Sequence, residues 1–270
     1  MTIATVQLGG TNFRADLLRP IDISIPLRFE GPQPNAYGVQ PAISNACRSG
    51  DLIGDTRRGG SCNFEQITLI PHCNGTHTEC VGHITKRRIS VLDCLKDVLM
   101  PGVLVSVEPE KEDNGDLRIS RGCVETAFTP HAVYASGTAA VQSGAFALMI
   151  RTLPNDERKL TRSYDQSNIP PYFTADAIQY IVECGFKHLL VDLPSIDRLY
   201  DEGKLRNHRM FWKVEEGSFE TNPDTLLGNT ITEMIYVPND VEDGPYLLNL
   251  QIAPFTSDAS PSRPIIFKRI

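Results

Sequence analysis

Alternating apolar and polar residues from Ile21 through Asp22, Ile23, Ser24, Ile25 and Pro26 to Leu27 predict an early, half-buried strand. A Gly/Pro/Asn-rich stretch from Gly31 to Gly60 follows, and a loop of that length is expected to be functional or oligomer-forming. Phe64 to Pro71 reads as a strand. Ser90 with Asp93 at the third helical position then resembles a capping box, opening a helix that carries Val91, Leu92, Leu95 and Val98. Two apolar runs predict buried strands, Val103 to Val107 and Ala145 to Ile150, the second ending at Arg151 and Thr152. Thr174 is placed to cap a helix in which Ile178, Ile181 and Val182 share a face and Gly185 closes the end, with a strand from Lys187 to Asp192 directly after it. The polar turn Asp192 to Asp197 at that strand's end is where α/β proteins build sites. A strand pair around Ile231 to Val237 and Tyr246 to Ile252, and a last strand Pro264 to Lys268, complete a sheet-dominated α/β single domain over 1–270, with the loop region at 31–60 and an insertion near 214–230.

Composition narrows the function classes. A formal net charge of −7 argues against nucleic-acid binding, which needs a basic surface to displace counterions. The short run Lys86, Arg87, Arg88 reads as a solvated helix approach. No apolar run approaches the length that crosses a bilayer, and the first residues have no cationic and apolar leader pattern, so no membrane partner and a cytoplasmic location are expected. Seven cysteines without CxxC spacing disfavour both a disulfide framework and a zinc ribbon.

Candidate chemistry concentrates in one place. Three of the six histidines, His72, His77 and His83, lie within the segment from Pro71 to His83, interleaved with Cys73, Cys80 and Glu79. Imidazole, thiolate and carboxylate are ligands for zinc and its neighbours. If the backbone stays extended past Leu69, Cys73, Gly75, His77 and Glu79 share one side and His72 faces the other, so Cys73, His77 and Glu79 converge on one ion. Thr76 is then free to fix a ligand carboxylate and Gly75 lets the backbone approach the ion. His83, beyond a bend at Gly82, stands where a general base belongs. A bulge at Asn74 would bring His72 inward in place of Cys73, and Asn74 with Gly75 also fits a plain hairpin turn.

Gly75-Thr76-His77-Thr78-Glu79 with His83 resembles the signature His-x-Gly-Thr-His-x-Asp-x-Pro-x-His of the metal-dependent cyclase-like hydrolases, the family that includes bacterial kynurenine formamidase and isatin hydrolase. The likeness extends to Asp22-Ile23-Ser24, to Ile150-Arg151-Thr152, to the turn Val191 to Asp197, to Ile231-Thr232-Glu233 and to Ser260 through Pro264. It implies a swivelling β/β/α fold, a homo-oligomer (dimer or tetramer), a small-molecule substrate, and one or two divalent ions serving the hydrolysis of an amide or cyclic amide. It further implies that His77 and Glu79 are ligands, that His83 is the acid/base group, and that His208 and Glu233 are the distal pair for a second ion. Cys73 stands where the first signature histidine belongs, with His72 one residue early; Glu79 replaces aspartate and Val81 replaces proline. Cys73 is the preferred first ligand and His72 its alternative, and a thiolate site favours zinc. His208 lies 25 residues before Glu233, a spacing that the insertion would account for; Glu220 inside it is a weaker carboxylate candidate.

No GxSxG, P-loop or GxGxxG pattern is present. Asp192, Ser195 and Asp197 read as turn caps or braces for the site, and His131 and His188, outside the cluster, as ordinary surface or core residues. The expectation is a metal-dependent hydrolase of a non-peptide carbon-nitrogen bond. Its alternatives are a catalytically silent relative holding a structural metal or a small carboxylate, and a thiol hydrolase using Cys73 or Cys80.

Overall fold

Apolar runs that are nearly continuous suit strands covered on both faces, and those of this chain form the middle of a large sheet. In the computed structural model, which describes residues 2–8, 11–131 and 146–270, the sheet has nine strands: β1 (Ile21–Asp22), β2 (His77–Glu79), β3 (Leu99–Val107), β4 (Ala147–Thr152), β5 (His188–Val191), β6 (Thr230–Glu233), β7 (Gly244–Asn249), β8 (Ala259–Pro261) and β9 (Ile265–Lys268). Their spatial order is β8-β2-β6-β5-β4-β3-β7-β9-β1. The four central strands, β3 to β6, run parallel, and antiparallel strands extend the sheet at both ends. This is the sheet-dominated α/β architecture expected from the sequence.

Period-2 alternation divides the core between the two faces. Val103, Val105 and Val107 of β3 and Leu148 and Ile150 of β4 pack with α3 (Arg121–Phe128), α4 (Ala175–Glu183) and α5 (Arg206–Trp212), burying Val124, Ile178, Ile181, Phe211 and Trp212. Met100 and Leu104 turn the other way, against Leu248, Ile266 and the short helix α2 (Val91–Cys94).

Several expectations change on contact with tertiary structure. Ser90 does cap α2, accepting from the amide of Leu92, but the helix ends at Cys94 because Leu99 already enters β3. Thr174 makes no side-chain cap on α4; its hydroxyl donates to the Ile119 carbonyl. The two C-terminal strands are not paired with each other. β6 inserts between β5 and β2, whereas β7 lies between β3 and β9, so the chain crosses the sheet between them. Within 31–60 the loop is pinned by short strands, among them Asn35–Ala36, Ile43–Ala46 and Leu52–Ile53. An N-terminal hairpin, Ile3–Leu8 with Thr11–Asp16, was not anticipated. Ala145, at the expected start of β4, lies outside the described residues.

At the C-terminal ends of the parallel strands a buried polar layer supports the turn after β5. Asp192 accepts from the amide and hydroxyl of Thr152 and from Lys159 Nζ at 2.8 Å. Arg151 reaches Ser106, Asp243 and the carbonyls of Pro238 and Val241.

His188 is a core residue: Nδ1 lies 2.8 Å from Thr230 Oγ1 and Nε2 lies 3.3 Å from Asp97 Oδ2. Burial holds its pKa below the usual histidine value, although Asp97 pulls the other way. A histidine depressed in the folded state takes up its proton more readily when unfolded, so its stabilising effect is lost as pH falls through the unfolded value, about 6.5. The stability difference between wild type and His188→Gln, followed by urea unfolding, should therefore shrink between pH 7 and 5; a constant difference would contradict a neutral His188.

Candidate metal centre

The segment leading into the histidine cluster does not stay extended. Pro71 opens a helical turn, α1 (Pro71–Asn74), as proline does where the amide would go unbonded in any case. The Asn74 side chain accepts the Ile70 amide at 2.6 Å and locks the turn. The period-2 expectation therefore fails at Cys73. Its side chain packs in an apolar cluster with Ile25, Ala36, Met234 and Tyr236, and it is His72 that brings both ring nitrogens to carboxylates. Cys73 still forms part of the cavity wall, but it is not among the residues whose ligand atoms lie within 4.8 Å of one another.

From His77 onward the alternation holds. β2 lies antiparallel between β6 and β8, with His77 directly opposite Glu233 and Glu79 opposite Ile231. That register places His77 Nε2 3.4 Å from Glu233 Oε2. Thr78, on the other face, meets Thr232 through their hydroxyls. Thr76 does not hold a ligand carboxylate: its hydroxyl accepts the Ile25 amide and donates to the Met234 carbonyl, tying the entry of β2 to the ends of β1 and β6. Beyond Glu79, a 3-10 turn over Val81–Ile84 aims His83 back at the site. Gly82 is required there, because a Cβ would stand 2.1 Å from the Ile89 carbonyl oxygen.

His208 arrives from α5, placed by Asp197. One carboxylate oxygen of Asp197 accepts the Asn207 amide; the other accepts the His208 amide and lies 2.6 Å from His208 Nδ1. This is the bracing role expected of the turn, whereas Ser195 only accepts the Asp197 amide. His208 Nε2 then lies 3.0 Å from Glu79 Oε1 and 3.7 Å from Glu233 Oε1. The long spacing from His208 to Glu233 is spanned by a turn-rich segment fastened to α5, where Trp212 donates to the Asn229 carbonyl and accepts the Leu226 amide. Glu220 takes no part in the site: it is exposed in that segment.

Glu79 is the hub. It is fully buried, which by itself would raise its pKa, yet the neighbouring imidazoles of His83, His208 and His72 hold its carboxyl well below the usual range. Burial lowers the pKa of His72, but Asp258 and Glu79 outweigh it and lift it to about 10. His83 sits at the rim, with Nδ1 3.6 Å from Asp258 Oδ2 and 3.9 Å from Glu79 Oε2. Asp258 and the aromatic pair Tyr37 and Tyr200 were missed in the sequence; the two rings meet edge to face at 5.5 Å. A cavity of 680 Å³ opens over these groups, walled by Tyr37, Ile70, Pro194, Tyr200 and Leu205 with Cys73.

The donor set fits a cation. Among the described residues, His77 Nε2 and both oxygens of Glu79 are buried side-chain atoms without a hydrogen-bond partner. Such atoms are costly unless something compensates them. His77 Nδ1 is engaged by the Gly75 carbonyl at 2.9 Å and His208 Nδ1 by Asp197, which leaves Nε2 of each ring as the nitrogen that faces the carboxylates. A divalent ion among these nitrogens and carboxylate oxygens takes the place of the imidazole protons and turns the contacts into coordination.

Comparison with known proteins shows the family and the fold. The model of the family described as "Putative cyclase" matches residues 21–198. The chain belongs to that family. A relative of this cyclase-family chain, kynurenine formamidase of Bacillus anthracis, is 23% identical over 252 residues, covering 91% of this chain and 96% of the relative. An isatin hydrolase bound to the product analogue thioisatinate superimposes with a TM-score of 0.60 at 14% identity, covering 93% of each chain. Isatin hydrolase A from Ralstonia solanacearum gives 0.62 at 14% identity, over 92% of this chain and 91% of its own. A structure described as a potential metal-dependent hydrolase with cyclase activity gives 0.61 at 16%, over 93% and 98%. These likenesses establish the swivelling β/β/α fold for this cyclase.

Proposed function

We propose that this chain is a metal-dependent hydrolase of a non-peptide carbon-nitrogen bond, in a formamide, an amide or a cyclic amide. The observation that carries the reading is the pair of orphaned, buried Glu79 oxygens at the floor of an open cavity, with the equally unpartnered His77 Nε2 on the same face of β2. A closed structural site surrounds its ion with protein, whereas a catalytic one keeps a position open to substrate. The names of the relatives, kynurenine formamidase and isatin hydrolase, support the same class of bond.

His72, His77 and Glu79 would hold the ion, with His208 and Glu233 completing the shell or, sharing Glu79, holding a second ion. An ion there supplies Lewis acidity, polarising a carbonyl and acidifying water. Zinc suits a set of imidazoles and carboxylates. His83, side chain 27% exposed at the rim, is placed to take the proton of the attacking water and return it to the departing nitrogen. Tyr37, Tyr200, Pro194 and Leu205 give the substrate an apolar wall. Glu233 is kept in place by the Ile196 amide on its Oε1.

The thiol alternative has less support. Cys80 is fully buried, and burial together with the charge of Glu233 pushes the Cys73 thiol up to about 11, away from the nucleophilic thiolate. Among the described residues no helix is long and apolar enough to cross a membrane. All seven cysteines are free thiols, which fits a cytoplasmic enzyme. The exposed Ile43, Leu52 and Ile67 suit a homo-oligomer. The test is turnover of formyl-anilides and cyclic imides by protein before and after chelation. Activity that disappears with the metal and returns with added zinc supports the reading; activity that survives chelation but not thiol alkylation refutes it.

A further inference from the structure

His72 stands between two carboxylates, with Nδ1 2.9 Å from Glu79 Oε2 and Nε2 2.9 Å from Asp258 Oδ2. An imidazole that coordinates a cation keeps a single N–H and can satisfy only one of them. The two contacts are not alike. The one to Asp258 has hydrogen-bond geometry, whereas the Glu79 oxygens have no hydrogen-bond partner. The proton therefore belongs on Nε2, and the Nδ1 lone pair faces Glu79. His77 and His208 are arranged in the same way, each tied at its far nitrogen by an acceptor, Gly75 O and Asp197.

We propose that Asp258 is a positioning residue that makes His72, in place of Cys73, a ligand of the cation: its carboxylate accepts a hydrogen bond from Nε2–H and aims Nδ1 at the centre. The inference rests on the metal-centre reading above and assigns a function to a residue outside the histidine cluster. Asp258 is itself well anchored, since its carbonyl accepts the Cys80 amide at 3.0 Å just before β8 pairs with β2. The backbone of Asp258 is thus fixed beside the end of β2, next to Glu79. The thiol of Cys73 is left to the cavity wall.

The test is cobalt(II) titration against a competing chelator, read by absorbance, for wild type, Asp258→Ala, Asp258→Asn and Cys73→Ser, with kcat and KM measured on the cobalt-loaded proteins. Asp258→Ala should weaken cobalt binding about 10–100-fold, the usual effect of removing the group behind a metal-bound histidine, without changing the number of ions bound. Asp258→Asn keeps an acceptor oxygen and should recover most of that affinity, and it serves as the probe if the alanine variant does not fold. Cys73→Ser should bind as wild type does, with no loss of a thiolate-to-cobalt band. Unchanged affinity in Asp258→Ala, loss of a thiolate band in Cys73→Ser, or the loss of one whole ion in Asp258→Ala would each overturn the proposal. The last would make Asp258 a ligand together with His72 and His83, which also lie within ligand range of it. Wild type that binds no cobalt would instead overturn the metal-centre reading itself.

Discussion

Glu79→Gln should release the cation and bring turnover down to the level of chelated wild type. Among the described residues, Glu79 is the one side chain approached by His72, His83 and His208 together, at 2.9, 3.9 and 3.0 Å, and His77 lies beside it on the same face of β2. A glutamine of the same shape retains one acceptor oxygen but turns the other position into a donor, so it loses both the charge and the bidentate character a cation uses. The effect should extend to stability. Breaking one side of a buried ionic cluster typically costs about 3–5 kcal/mol, because the partners left behind are neither hydrated nor paired. Metal content by mass spectrometry and urea unfolding would check both parts. A variant with full metal content would place the ion elsewhere.

His83→Ala should do nearly the opposite, keeping the metal and losing rate. Its ring is partly exposed at the cavity rim, and its nearest approaches to the cluster, 3.6 and 3.9 Å, are too long for hydrogen bonds. A side chain placed in this way can transfer protons without holding the cation. A positioned acid/base group contributes roughly 10²–10⁴-fold, so kcat should fall by that much with metal content unchanged and KM little altered. Loss of metal in His83→Ala would move it from acid/base to ligand, as its grouping with Glu79 and His208 would then require.

Much of this centre could be read from the chain because it lies on a strand. His77 and Glu79 are two apart on β2, and period-2 geometry puts them on one face whatever surrounds them. Glu233 could be named only through the resemblance to the cyclase-like hydrolases, because the apolar pattern does not show that its strand pairs beside His77 and Glu79, whereas Asp197 could be named as part of a polar turn at a parallel strand's end. The same periodicity does not carry back through Pro71, where the backbone is a helical turn locked by Asn74, so it does not place Cys73. In a helical turn the side chains of positions 72 and 73 are about 100° apart rather than opposed, so parity no longer decides which faces the site. Asp258 carried no local signal. It reaches the centre through the pairing of β8 with β2, a contact made across most of the sequence, and only the neighbouring Ser260 to Pro264 signature marked that region at all. Tyr37 and Tyr200 come from loops, each with positive φ (61° and 64°), and nothing in the apolar pattern brings the two together. The crossing of the sheet between β6 and β7 was hidden likewise, because a strand's pattern gives its faces and not its neighbours.

The central claim is most directly tested by anomalous diffraction from a crystal carrying the native metal. The account predicts an anomalous peak bonded to His77 Nε2, a Glu79 oxygen and His72 Nδ1 at about 2.0–2.2 Å, the range of zinc bonds to nitrogen and oxygen. A peak on the Cys73 sulfur would contradict the assignment of His72, and a metal-soaked crystal with no peak among these side chains would contradict the account as a whole.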